Sequence, residues 1–352
     1  MKNSRSFFIN TGIMTIALLL SLLLCETFIR AALFYKSRNE FKKVMGSLPE
    51  IESGKEAGLG QIIRPSANPK IIYELRPDMD VYFANAAVKT NHIGCRSDRN
   101  IHLKKDAGTV RILGLGDSYM FGQGVNQEKN LLDVLEAELN KRFTQRSWEV
   151  INAAVPGYNT VMEVETLKEK YLKYKPDIVI IEFIGNDFQL PNFIYDVADW
   201  RDLKKSFFME LLVKKYSSLP SNFKLSGAPL NFKLGWGFED DACRVPEMYK
   251  DAVGWDSYVR AMKILKKVQK KYGFDVISFL TLGYKDDRVF NLSTQLGFYT
   301  TYNDAYDSQD LSLVISKNDI HPSESGHKKN AEKLLNFMID EKIIEKYLSG
   351  IN

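Results

Sequence analysis

Three side chains in this sequence have the types and spacing needed to take a proton off a hydroxyl. Ser118 follows directly on an apolar run, Val110 to Leu115, within Gly116-Asp117-Ser118. A serine is a weak nucleophile until a base takes its proton, and an imidazole does this near neutral pH. The stretch Asn318-Asp319-Ile320-His321-Pro322-Ser323-Glu324-Ser325-Gly326-His327 supplies one. Asp319 stands two residues before His321, where a carboxylate fixes the tautomer and stabilises the imidazolium. The chemistry of such a set is acyl transfer through a serine ester. His321 alone would be taken for a structural residue; with Asp319 beside it, it is expected to be the base.

Attack on a carbonyl puts negative charge on its oxygen, and that charge needs donors. Removing one donor typically costs about 3 kcal/mol of transition-state stabilisation. Asn152 to Tyr158 (NAAVPGY) offers Gly157, whose N–H a ligand can approach closely, and Gly185-Asn186-Asp187 offers the amide of Asn186. Taken singly, these are a turn glycine and a loop asparagine. Their placement after successive strands makes the set informative.

Those strands follow from patterning. Val110 to Leu115, Trp148 to Ala153 and Asp177 to Phe183 (DIVIIEF) are short apolar runs. Helical spacing marks Leu131 to Phe143, Val161 to Tyr174 (stopped by Pro176), Tyr249 to Tyr272 and Ser325 to Met338. Phe274 to Leu282 and Leu311 to Ile315 are expected as further strands, with the Asp319–His321 loop after the last of them. The alternation predicts an α/β fold, a parallel sheet covered on both sides. Ser118 and His321 then sit at its carboxyl edge, where open sheets bind ligands. A helix after Ser118 would aim its N–H groups there.

Competing motifs fail. Met120 stands where a G-x-S-x-G elbow needs its last glycine, and Tyr119 where a dinucleotide fingerprint needs its third. There is no Walker A sequence, no CxxC and no H-E-x-x-H, so neither a metal nor a cofactor is expected. His327 is expected to be structural, and His92 and His102 to be surface or packing residues. The stretch Phe188 to Val245 is too long for an ordinary loop. It predicts a partly helical insertion, either a lid or a packed decoration, rich in aromatics such as Phe193, Tyr195, Trp200 and Trp236.

The ordered set resembles the SGNH, or GDSL-type, hydrolase family. Gly116 to Ser118 match its nucleophile block, Gly157 its second, Asn186 its third and His321-Pro322 its last. The resemblance covers about Gly108 to Leu335 without the insertion. It implies a flavodoxin-like three-layer α/β/α sandwich and an acyl-enzyme on Ser118. It also implies oxyanion donors from Ser118 N–H, Gly157 N–H and Asn186. Two positions depart from the pattern. Ile184 stands where the third block often has glycine, and Asn318 stands where the acid is often found, three residues before the histidine. The ending D-x-H-P-x-x-x-G-H is similar to that of membrane-anchored members, which also carry N-H/S-x-G upstream, as at Asn91 to Gly94. Asp319 is therefore the expected acid.

The N-terminus fits an anchor. Phe7 to Leu24 has only Asn10, Thr11, Thr15 and Ser21 as polar side chains. Eighteen residues of helix span roughly 27 Å, near the thickness of a bilayer's hydrocarbon core. No A-x-A site follows, which favours a retained transmembrane helix over a cleaved signal. Lys2 and Arg5 precede the run, while Arg30, Lys36, Arg38, Lys42 and Lys43 follow it. The short tail favours a cytoplasmic N-terminus and an extracytoplasmic catalytic domain, although the charge count does not. Glu26 and Arg30 are spaced to pair on one helix face. Cys95 and Cys243 would form one disulfide in an exported domain or remain free thiols.

The expected organisation is an anchor at 1–35, a spacer at 36–70, an N-terminal extension at 71–107, and a hydrolase domain at 108–348 with an insertion at about 188–245. The net charge of +4 over 352 residues gives no sign of nucleic-acid binding. Anchored members of the family that the chain resembles often look like carbohydrate-modifying enzymes, so the resemblance implies, as the leading expectation, a membrane-anchored serine esterase that removes acetyl groups from an extracytoplasmic carbohydrate. Acetyl transfer to a polysaccharide, a lipase or thioesterase, and an idle carbohydrate-binding protein are the alternatives. The intact Ser118, Asp319 and His321 argue against the last.

Overall fold

The computed structural model describes residues 2–48, 50–194, 203, 206–213, 247–281 and 287–349. They fall into two units, one drawn from 1–48 and 194–226, the other from 49–193 and 227–352. The first unit opens with a long helix, α1 (Lys2–Gly46). By length and composition it is the one helix among the described residues able to cross a membrane, with a mean hydropathy of 2.2 over its most apolar 18 residues. The hydroxyls of Thr11, Thr15, Ser21 and Thr27 each donate to the carbonyl four residues back, at 2.8–2.9 Å. A polar side chain that satisfies itself on its own helix suits a medium without water. Glu26 and Arg30 pair at 2.8 Å.

The second unit opens with α2 (Leu59–Ile62) and two hairpins, β1 (Ile63–Pro65) with β2 (Tyr73–Leu75), and β3 (Asp80–Phe83) with β4 (Ala86–Lys89). The expected spacer at 36–70 is corrected at both ends. The helix continues to Gly46, and Ile62, Ile63 and Ser66 are buried in the hairpin layer. Ile71 and Ile72 form a turn, with Ile72 at φ +64, and pairing begins at Tyr73.

The main sheet begins with β5 (Thr109–Leu115). One turn of helix, α3 (Ser118–Phe121), is followed by α4 (Leu131–Arg142), β6 (Ser147–Asn152), α5 (Thr160–Thr166) and β7 (Ile178–Phe183). The helix expected directly after Ser118 is thus only a single turn. After α6 (Phe207–Val213), which belongs to the first unit, come α7 (Gly254–Tyr272), β8 (Asp275–Leu280), α8 (Asp287–Gln295) and β9 (Tyr299–Tyr302). The chain closes with β10 (Val314–Ser316), β11 (Asp319–Pro322), α9 (Glu324–Asp340) and α10 (Ile343–Ser349).

The five long-range strands are all parallel, in the order β6-β5-β7-β8-β9. This is the flavodoxin-like order, in which the chain reverses direction beside the first strand. Right-handed crossovers then send α4 to one face and α5, α7 and α8 to the other. The contacts agree, since α4 packs on α9 and α5 packs on α7. Every residue of β7 is buried, as a central strand covered on both faces requires. On the α5–α7 face, Leu113, Leu115, Val179, Ile181, Val164, Leu167, Met262 and Leu265 belong to one apolar cluster.

Leu311 to Ile315 is not a strand of this sheet. Its C-terminal part, β10, pairs antiparallel with β11 as a separate hairpin. The fifth sheet strand is β9, whose sequence Tyr-Thr-Thr-Tyr lacks the aliphatic run that marks the other four. Asp319 and His321 therefore lie on a strand of a small hairpin.

The N-terminal extension is clamped to the main domain by Arg96, which is fully buried. Its guanidinium donates to the carbonyls of Phe121, Gly122 and Val125, at the end of α3 and in the loop that follows it.

Candidate active site

The bond network begins at His321. Its Nε2 lies 2.8 Å from Ser118 Oγ, and its Nδ1 lies 2.6 Å from Asp319 Oδ1. A carboxylate only accepts, so Nδ1 carries the proton and Nε2 is left to accept from the serine. Asp319 Oδ1 also accepts from the backbone N of His321 at 3.1 Å. The strand explains the spacing of two. Residues i and i+2 share a strand face, so Asp319 and His321 point together while the intervening Ile320 is exposed. Asn318, at the departed position, is exposed.

Two tyrosines hold this strand. Tyr119 and Tyr306 both donate to the carbonyl of Ile320, and the Tyr119 ring lies 4.8 Å from the imidazole, centre to centre. Ser323 caps α9 through Gly326 N, and a side chain at Gly326 would meet the Leu313 carbonyl at 2.3 Å. That close approach seats the hairpin on α9.

Ser118 opens α3, and Asp117 caps it by accepting from Tyr119 N at 2.9 Å. The other oxygen of Asp117 accepts from Asn186 Nδ2 at 2.8 Å and lies 3.3 Å from Ser118 Oγ. The backbone N–H of Ser118 also faces this carboxylate. Two of the three expected oxyanion donors thus meet Asp117. The amide of Asn186 keeps a second N–H, because Asp117 takes only one.

Gly157 lies beyond the end of β6, and Val155 N bonds Gly116 O at 3.1 Å beside it. It adopts φ +79, where only glycine is unstrained, and a Cβ would meet Asn192 at 2.6 Å and the Tyr73 hydroxyl at 2.8 Å. Tyr73, from the extension, donates to Pro156 O at 2.9 Å. Asn159 Nδ2 bonds Gln189 O at 2.8 Å, which ties the Gly157 loop to the Asn186 loop. The structure thus brings Ser118, His321 and Asp319 into one chain of bonds, and holds Gly157 and Asn186 on the two loops beside it.

Several neighbours had no assigned role from sequence. For Asp117 the signal that could have found it is its type, an aspartate directly before the residue that opens a helix. Tyr73 and Tyr119 reach the site through contacts that no local pattern carries. Beneath the site lies a group of buried carboxylates. Burial, with the charges of Asp187, Asp117 and Glu182 beside it, pushes Glu163 well up. Asp187, which accepts from Thr160 Oγ1 and Ile184 N, is pushed up to about 7, mainly by burial. Burial likewise raises Asp117 and Glu182. No group of three metal-ligating side chains forms among the described residues. Cys95 is a buried free thiol whose Sγ is 3.2 Å from Tyr171 Oη, while Cys243, Tyr195, Trp200 and Trp236 lie outside the described residues.

His327 is fully buried and accepts from Leu131 N through Nδ1 at 3.2 Å. Burial, then the charges of Arg96 and His321, push it down to about 3. The unfolded chain takes up this proton near pH 6.5 and the folded chain refuses it. His327 therefore costs stability as pH falls from about 6.5 to 3, at up to about 1.4 kcal/mol per pH unit. Asp187 acts in the opposite direction, with its contribution lost as pH rises from about 4 to 7. Denaturant unfolding of the wild type against His327→Asn isolates the histidine. The difference in stability between the two should shift against the wild type as pH falls through that window.

No curated protein matches this chain. Solved structures are similar at a distance. The crystal structure of TesA aligns with 65% of this chain and 97% of its own, at 14% identity and a TM-score of 0.39. LAE5, an alpha/beta hydrolase enzyme from the metagenome of Lake Arreo, Spain, aligns over 65% and 94%, at 14% and 0.38. A variant of Axe2, an acetyl xylan esterase from Geobacillus stearothermophilus, aligns over 65% and 94%, at 15% and 0.39. The model of the GDSL-like lipase/acylhydrolase family matches residues 115–329, more than half of the chain. The match runs from the end of β5, just before Ser118, into α9, just past His327, and so takes in the whole bonded site; the chain belongs to the GDSL-like lipase/acylhydrolase family and is a carboxylic ester hydrolase.

Proposed function

We propose that the chain is a membrane-anchored serine esterase in which Ser118 attacks, His321 is the base and Asp319 orients it. The observation that carries this reading is the continuous relay from Asp319 through His321 to Ser118 Oγ, at 2.6 and 2.8 Å. Ser118 Oγ adds to the acyl carbon as its proton passes to His321 Nε2. The tetrahedral oxygen is met by Gly157 N–H and the second N–H of Asn186, and Ser118 N–H joins them by turning from the Asp117 carboxylate. The leaving alcohol takes the proton from His321 and an acyl ester remains on Ser118. Water, activated by His321, then releases the acid and restores the serine.

The substrate we assign is a small acyl ester, foremost acetyl, on a carbohydrate outside the cytoplasm. The apolar run of α1, which suits an anchor, and the likeness of the D-x-H-P-x-x-x-G-H ending to membrane-anchored members support it. Full-length chain and p-nitrophenyl acetate, butyrate and octanoate provide the test, followed by acetylated glycans. Preference for acetate supports the assignment; preference for octanoate overturns it in favour of lipid substrates.

Asp117 has a positioning role in this scheme. An asparagine there has one acceptor oxygen where the carboxylate has two. With that oxygen on Tyr119 N, its amide would face the Asn186 amide, donor against donor. Asn186 would then flip and present an oxygen to the oxyanion. Asp117→Asn should therefore lower kcat by about 10²-fold with KM little changed, the size expected for one lost donor. Steady-state kinetics on a short-chain ester measure the split, and an unchanged kcat contradicts the role.

A further inference from the structure

A second element meets the anchor. α6 starts on one carboxylate of α1: Glu26 accepts from Ser206 Oγ at 3.0 Å, Phe207 N at 3.1 Å and Phe208 N at 2.9 Å. Arg30, paired with Glu26, lies over the ring of buried Phe207 at 4.9 Å. These contacts fix α6 just past the apolar run that ends at Leu24. From there α6 turns outward an apolar face, with Met209, Leu212 and Val213 at 54%, 60% and 76% exposure. An open groove between the helices is lined by Leu24, Phe28, Ala31, Phe208, Leu211 and Leu212.

Exposed apolar side chains in such number mark a surface that meets something other than water. Three observations identify the occupant as lipid. The groove is continuous with the exposed apolar side of α1, where Leu23, Leu24 and Phe28 are 62%, 69% and 76% exposed. Within α6 only Glu210 is charged, while the sequence flanks it with Lys204-Lys205 and Lys214-Lys215. An apolar segment bracketed by lysines suits acyl chains below and anionic headgroups above. At seven residues, α6 is far too short to span a bilayer.

We propose that α6 is a second membrane contact, lying at the headgroup–acyl boundary beside the anchor with Met209, Leu212 and Val213 among lipid chains. This rests on the reading of α1 as an anchor. The insertion would then carry a lipid-facing helix, and neither a lid nor a packed decoration would describe this part of it.

The test uses the full chain with Cys25→Ala and Cys243→Ala, since Cys95 is buried and unreactive. Leu18→Cys and Leu212→Cys are labelled in turn with an environment-sensitive nitrobenzoxadiazole dye. Each protein is placed in phosphatidylcholine–phosphatidylglycerol vesicles with or without nitroxide-labelled lipid. Blue-shifted emission at both positions, largely lost with the nitroxide lipid, is the expected result. Quenching at position 18 with water-like, unquenched emission at 212 overturns the inference and leaves the anchor standing. Water-like emission at both positions overturns the anchor reading and the inference with it.

Discussion

Ser118→Ala is expected to lower kcat on short esters by about 10⁶-fold and to leave the fold unchanged. The rate follows from the scheme, because without Oγ no acyl-enzyme forms and only the residual effect of binding and oxyanion donors remains. The stability follows from the site. Ser118 is half-buried, and its Oγ lies within hydrogen-bond distance of His321 and Asp117. Its loss opens no cavity in the apolar core, so the melting temperature should stay close to that of the wild type. Full activity in this variant would remove Ser118 from the mechanism.

Asp319→Asn is expected to cost about 10⁴-fold in kcat, as for the carboxylate of other serine triads. The carboxylate accepts from Nδ1–H and so leaves the lone pair on Nε2 facing Ser118. An amide in its place can donate to Nδ1. The imidazole then carries its proton on Nε2 and has no acceptor for the serine. Asn318→Asp should leave the rate essentially unchanged, because Asn318 is exposed and lies outside the bonded chain. Steady-state kinetics of the two variants side by side decide the assignment. If position 318 proved the sensitive one, the acid would be misassigned.

Why the acid sits two residues before the histidine is a matter of local structure. On a loop, either spacing could bring a carboxylate to the ring. On β11 the period of two puts Asp319 on the face of His321, while Asn318 lies in the turn before the strand and is exposed. In the sequence both residues look like part of a loop after a sheet strand. Residue type and the likeness of the D-x-H-P-x-x-x-G-H ending single out Asp319 there, and the strand supplies the geometric reason.

The central strands were legible because burial on both faces demands long aliphatic runs, as in Ile178–Phe183. β9 was not, since an edge strand needs no such run and Tyr299–Tyr302 is half polar. Leu311 to Ile315 looked like a sheet strand through its apolar residues, of which Leu313 and Val314 bury beneath the hairpin. The glycines and the residues beside them pointed to the site. Gly157 and Gly326 stand where a side chain would strike Asn192 or the Leu313 carbonyl. The supporting contacts were not legible. Tyr73 reaches Pro156 across 83 residues and Tyr119 reaches Ile320 across 201, and no periodicity encodes such distances. Nothing in the spacing of Glu163 and Glu182 marks them, yet both are buried near Asp117.

The most direct test of the account is to ask which atom becomes covalently modified. The full chain is incubated with a fluorophosphonate, which reacts only with an activated serine, and the adduct is located by peptide mass spectrometry. The expected result is a single adduct on the peptide that holds Ser118, absent in Ser118→Ala and formed far more slowly in His321→Ala. An adduct on another serine, or none on the folded wild-type chain, would contradict it.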